Sequence, residues 1–217
     1  MQRSNETSEA SRRRAATLVL GMLGGIASGK SRAARLLAGP EGVVLDADEL
    51  AHEVLDDPEV SQLVAERFGP ELLGADGLPD REALSRRVFD DAAARSELEG
   101  WIHPRVRARI MAELEDARSN GVPRVVLDVP LLLENEARHG LTGLCDALVF
   151  VEAGEEVRAE RAMRTRGWKA GELARREAAQ LPLTEKKKRA DYVLSNEGGM
   201  EELEQAVQEI LAQLIAA

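Results

Sequence analysis

A single cysteine, Cys145, stands among the 217 residues. One thiol excludes an intramolecular disulfide and any four-cysteine zinc site, and it suits a reducing cytoplasm. Long apolar runs are missing as well: no stretch approaches the roughly 20 apolar residues that a membrane helix needs. After Arg12, Arg13 and Arg14 there is no apolar segment of about 7 to 15 residues such as an export signal carries. Positive charge is in deficit. Lys and Arg number 29 against 39 Asp and Glu, a formal net charge of -10. A diffusely basic nucleic-acid surface is thereby excluded, and a polyanion must meet a local basic patch. Internal repeats and low-complexity tracts are absent too.

What is present is ordinary globular material, 44% hydrophobic and 31% charged. A chain of this length buries about 70% of its unfolded surface and forms one elaborated domain. Residues 1–17 are polar and read as a disordered tail. Beyond them, short apolar runs at Leu18–Leu23, Gly42–Leu45, Arg124–Asp128, Ala147–Val151 and Tyr192–Leu194 alternate with helical stretches. Continuous Val- and Leu-rich runs separated by helices predict a parallel sheet of five strands buried on both faces, the middle layer of three in a doubly wound α/β core. The stretch from Glu49 to Val122 has no strand signal and far exceeds the dozen or so residues of a plain crossover. It predicts an inserted helical lobe, in which Leu78–Arg81 open one helix and Asp91–Ser119 form another, interrupted near Pro104. Residues 155–189 are a second strand-free stretch, dense in Arg and Lys. An amphipathic helix over Met200–Ala217 closes the chain.

The most specific signal is Gly24-Gly25-Ile26-Ala27-Ser28-Gly29-Lys30-Ser31, a full match to the phosphate-loop pattern G-x-x-x-x-G-K-S/T. It lies between an apolar strand and a helix-like run, so backbone N–H groups and a helix N-terminus can converge on a nucleotide's phosphates. Lys30 would offset the charge of the β and γ phosphates, and the Ser31 hydroxyl would hold Mg²⁺. These are the marks of a P-loop NTPase. Asp46-Ala47-Asp48 follows the second run. In an extended strand both carboxylates project to one side at the strand's C-terminal end, where open α/β sheets bind ligands. Such a carboxylate could take the proton of an attacking hydroxyl or position Mg²⁺ through water; capping the helix after it is the other reading. Asp128, before Val129 and Pro130, stands where a Walker B acid would stand beside a metal, or bonds the local turn. Asn196 could read an adenine edge or occupy a turn, and His103 could touch substrate or pack.

Taken together, the loop, Asp46-Ala47-Asp48 with Ala51 and His52, His103-Pro104, Asp128-Val129-Pro130-Leu131-Leu132-Leu133-Glu134, Ala179-Gln180-Leu181-Pro182, Lys186, Ala190–Val193 and Asn196 with Gly198 resemble the dephospho-CoA kinase family. The resemblance spans Leu18–Leu211. It implies transfer of the ATP γ-phosphate to the ribose 3′-hydroxyl of dephospho-CoA, with ATP and Mg²⁺ as cofactors. It also implies that Asp48 is the general base and Asp46 its neighbour in the acceptor crevice, with His103 and Asp128 toward the substrate. The core is then 18–55, 121–153 and 190–217, the substrate lobe 56–120 and a helical lid 154–189. No nucleic acid or membrane partner is implied, and the expected state is a monomer or small homo-oligomer in the cytoplasm.

The lid has a physical argument of its own. Arg161, Arg164, Arg166, Lys169, Arg175 and Arg176 concentrate positive potential in an acidic chain. Arg161 and Arg166 are the expected phosphoryl contacts; ion pairs to Glu160, Glu172 and Glu177 would account for about half of the cluster. Lys186, Lys187 and Lys188 read as solvent-exposed, although Lys186 matches the family pattern. Two positions depart from that pattern. Arg32 replaces the usual Thr after the loop, where it could contact the α-phosphate or point to solvent, and Arg158 stands where a glutamine is usual. Another small P-loop kinase, acting on a nucleoside, nucleotide or sugar acid, would share Lys30, Ser31 and an arginine-rich lid. A nucleotide switch would need a water-positioning glutamine and switch segments, for which the sequence has no clear signature.

Overall fold

The computed structural model describes residues 17–216, so residues 1–16 of the expected tail lie outside it. Five strands form one sheet: β1 (Leu18–Gly24), β2 (Val43–Asp46), β3 (Arg124–Asp128), β4 (Ala147–Glu152) and β5 (Tyr192–Ser195). Their order is β2-β3-β1-β4-β5. β1 runs parallel to β3, with Gly21 beside Leu127, and parallel to β4, with Gly24 beside Val151; β4 runs parallel to β5. Val19 and Leu20 are both fully buried, as are Val125 and Val126. Consecutive strand residues point to opposite faces, so burial of both requires cover on each side of the sheet.

In chain order the helices are α1 (Lys30–Ala38), α2 (Ala47–Leu55), α3 (Pro58–Phe68), α4 (Arg81–Phe89), α5 (Ala92–Ser119), α6 (Glu136–His139), α7 (Glu155–Arg166), α8 (Glu172–Glu177), α9 (Leu183–Lys188) and α10 (Met200–Ala216). The described residues fall into two compact units, one running to Leu45 and resuming at Leu114, the other Asp46–Glu113. The sequence pattern divides the lobe at 56 and 120; the packing divides it at 46 and 113.

In the first unit, Leu20, Met22, Val126, Val149, Val151 and Leu194 share a core with α1 and α10. Ala33, Ala34 and Ala38 keep the contact face of α1 small. Leu203, Val207, Ile210 and Leu211 recur at helical spacing, which is why the last helix lays one stripe on the sheet.

The second unit is helical, apart from an isolated bridge between Leu73 and Pro79. Asp80 opens α4 by accepting hydrogen bonds from Glu82 N and Ala83 N, each at 3.0 Å. The Phe68 and Trp101 rings lie 5.6 Å apart, and Arg109 pairs with both Glu53 and Asp57. One expectation is corrected here: α5 is not interrupted at Pro104 but runs through it. Proline removes the bond to the carbonyl four residues earlier and crowds it. That residue is Gly100, exposed and with nothing within 4 Å of where a side chain would begin, so water can take over the carbonyl and the helix continues.

Candidate active site

The phosphate loop grows out of the sheet's most buried strand. After Gly24 the chain leaves β1, turns through Ala27 at φ 59° and Gly29 at φ 94°, and enters α1 at Lys30. Gly29 has a double constraint. Its φ is left-handed, and a Cβ there would fall 2.3 Å from Asn196 Nδ2. Asn196 is itself buried and donates from Nδ2 to the Ser28 carbonyl at 2.7 Å; Arg161 reaches the same oxygen at 3.5 Å. The Asn196 side chain thus anchors the loop. α1 begins with no side-chain cap and no acidic residue in its first turn. Its leading N–H groups have no carbonyl one turn earlier to bond, which suits them to an anion. Ser28 Oγ is buried and has no hydrogen-bond partner.

Lys30 curls over this loop, donating from Nζ to Gly25 O at 3.0 Å and Gly24 O at 3.4 Å. Burial pushes its pKa below the usual lysine value of 10.5; Asp128 and Glu134 oppose the shift, and Lys186 and Arg166 reinforce it. Asp128 closes β3 with only 4% of its surface exposed, and its Oδ2 has no hydrogen-bond partner. A buried carboxylate oxygen left without a donor fits water or a cation rather than a turn. No group of three or more His, Cys, Asp or Glu suited to a metal occurs among the described residues. Mg²⁺ needs no such cage, because it keeps several waters and takes one or two protein ligands beside substrate phosphates. The half-buried Ser31 hydroxyl and Asp128 are of that kind. Arg32 is exposed.

The basic stretch sorts by partner. Glu172 holds Arg175 and Arg176, and its carboxyl is pulled down to about 2, chiefly by the Arg175 hydrogen bond and then that of Arg176. Glu177 holds Arg158. No carboxylate pairs with Arg161 or Arg166 among the described residues; Arg166 lies 5.0 Å over the Trp168 ring, which Arg176 also approaches at 4.5 Å. Lys187 and Lys188 are largely exposed, pairing with Glu152 and Glu185. Lys186 corrects the expectation. It is 4% exposed, pairs with Glu134 at 2.7 Å and donates to Gln180 Oε1 at 3.1 Å. Glu134 also accepts from Leu181 N. Sequence reasoning missed this network and the Arg158–Glu177 pair; for Lys186 the family pattern was the signal.

The remaining candidates belong to the second unit. Asp46, the last residue of β2, accepts from Asp48 N at 2.9 Å and Glu49 N at 3.2 Å, so it caps α2. Asp48 therefore stands in the first turn of a helix and not two residues along a strand, a correction to the shared-face geometry. The strand ends where the cap becomes the cheaper way to satisfy the amides. Asp48 is exposed, and His103 is exposed on α5.

Comparison with known proteins covers nearly the same span. The profile of the family described as dephospho-CoA kinase matches residues 18–202. A dephospho-CoA kinase of Anaeromyxobacter dehalogenans is 42% identical over 90% of this chain and 92% of its own length. One of Geobacillus kaustophilus is 39% identical over 91% and 96%. Among solved structures, TT1252 from Thermus thermophilus superposes with a TM-score of 0.73 at 39% identity, covering 92% of this chain and 98% of its own. A dephospho-CoA kinase from Campylobacter jejuni has a TM-score of 0.68 at 22% identity, over 91% and 97%, and shares the fold.

Proposed function

This chain belongs to the dephospho-CoA kinase family, and on that premise we propose how its residues carry the reaction. The activity is the ATP-dependent phosphorylation of dephospho-CoA to CoA. The observation that carries the ATP half of the reading is the loop Gly24–Ser31, with its uncapped helix start and a lysine held over its turn; the family match carries the acceptor. ATP binds with its phosphates on the loop's amides; Lys30, Arg161 and Arg166 offset charge on the transferring group. The acceptor is the ribose 3′-hydroxyl. Its oxygen attacks the γ-phosphorus in line, the bond to the bridging oxygen of ADP breaks, and Asp48 takes the hydroxyl proton. Asp46 caps α2 and so orients the turn that bears Asp48.

Mg²⁺ would be held by Ser31 with Asp128 beside it, and would supply charge neutralisation for the phosphates. Asn196 serves ATP by fixing Ser28. The helical lobe 56–120 takes the acceptor, His103 included, and 154–189 is the lid. The enzyme works in the cytoplasm on small molecules, not nucleic acid, as a monomer or small homo-oligomer. No helix among the described residues is long and apolar enough to cross a membrane.

Asp48→Asn tests the base. Turnover is expected to fall by about 10²- to 10⁴-fold, the usual worth of a general base, with the Kd for ATP unchanged. Near-normal turnover would remove Asp48 from the role.

A further inference from the structure

Ile26 lies inside the phosphate loop, yet its N–H donates to Glu177 Oε1 at 3.1 Å across 151 residues of sequence. Glu177 is held there by Arg158, which is 4% exposed. Arg158 is itself fixed on both sides: Nε donates to Ala153 O at 3.0 Å, and Nη1 lies 3.5 Å from Ile26 O. The pair sits directly on the loop. A Cβ on Gly25 would come within 2.8 Å of Arg158 Nη1 and 2.9 Å of Glu177 Oε1, so a larger residue there would displace the pair.

Phosphate loops turn backbone N–H groups toward an anion. Here the Ile26 N–H of the loop already has an anion, supplied by α8 and clamped by a buried guanidinium. Two anions brought to one loop repel. The geometry points to Glu177 as an internal competitor for the phosphate loop and to Arg158 as the group that holds it in place, so that the pair sets ATP affinity and must part when ATP engages. Arg158 and Glu177 are positioning residues: they act on the loop and not on the reacting atoms. This rests on the reading of Gly24–Ser31 as the ATP site.

The test is the ATP and ADP Kd by titration calorimetry for wild type, Glu177→Gln, Arg158→Gln and the double variant. Removing Glu177 alone tightens binding, since Arg158 is left to the phosphates. Removing Arg158 alone weakens it, because Glu177 keeps its bond to Ile26 N and loses the cation that offsets its charge. Both single changes break one buried ion pair and lower stability, so a mere structural tether would move affinity the same way in both. The double variant decides. It leaves the net charge unchanged and a neutral amide pair in place, and it is expected to bind ATP at least about fivefold tighter than wild type, the lower end of common coupling energies. Its KM for ATP should fall in step, with kcat changed less. An unchanged or weaker Kd in the double variant overturns the inference while wild-type ATP binding upholds the kinase reading. Wild type that binds no ATP would overturn both.

Discussion

Lys30 is a cation kept where water is scarce, and its charge is conditional on pH. Burial lowers its pKa below 10.5, more than Asp128 and Glu134 restore. Between the folded value and 10.5 the unfolded chain binds more protons than the folded one, so the penalty on stability is full below that window and is relieved as pH rises through it. ATP affinity runs the other way, because a neutral amine offsets no phosphate charge. The Kd for ATP, titrated against pH, should rise on going alkaline through a value below 10.5; a limb at 10.5 or above would contradict the burial argument. Lys30, Ser31 and Gly29 were legible in the sequence because their chemistry depends on spacing alone. Arg158 and Glu177 were not, and Lys186 was so only through the family pattern. A mixed-charge segment reads as a solvated face, and which of its members turns inward is decided by partners as distant as Ile26 and Glu134.

At the scale of elements, strands were more legible than helix interruptions. A run such as Val125-Val126-Leu127 can be only a fully covered strand or a short buried helix, and its length decides. Pro104 was misleading because local rules mark a break wherever the i to i−4 bond is lost, whereas an exposed glycine carbonyl can be satisfied by water. The cost remains even though the helix does not break. Pro104→Ala should restore the bond to Gly100 O and raise stability by up to about 3 kcal/mol, the difference between the two residues inside a helix. Urea denaturation measures it, and a variant less stable than wild type would show that the proline is doing something other than weakening α5. The turn from β2 into α2 was half legible: the Asp46-Ala47-Asp48 pair was found, but its cap geometry moved Asp48 from a strand to a helix start.

The whole molecule reconciles a net charge of -10 with a polyanionic substrate by sorting its cations. Glu172, Glu177, Glu134, Glu152 and Glu185 neutralise their neighbours, while among the described residues no carboxylate pairs with Arg161 or Arg166, and Arg161 lies on the loop's Ser28 carbonyl. Bulk charge therefore says little about the site, and the family motifs, distributed from Leu18 to Leu211, say most about the acceptor. The acceptor is also where the claim is most exposed. Incubation of the purified chain with ATP and Mg²⁺ and each of dephospho-CoA, AMP and gluconate, read by mass spectrometry, should add one phosphoryl group to dephospho-CoA alone and release one ADP for each CoA formed. Phosphorylation of AMP or gluconate with dephospho-CoA left untouched would contradict the account.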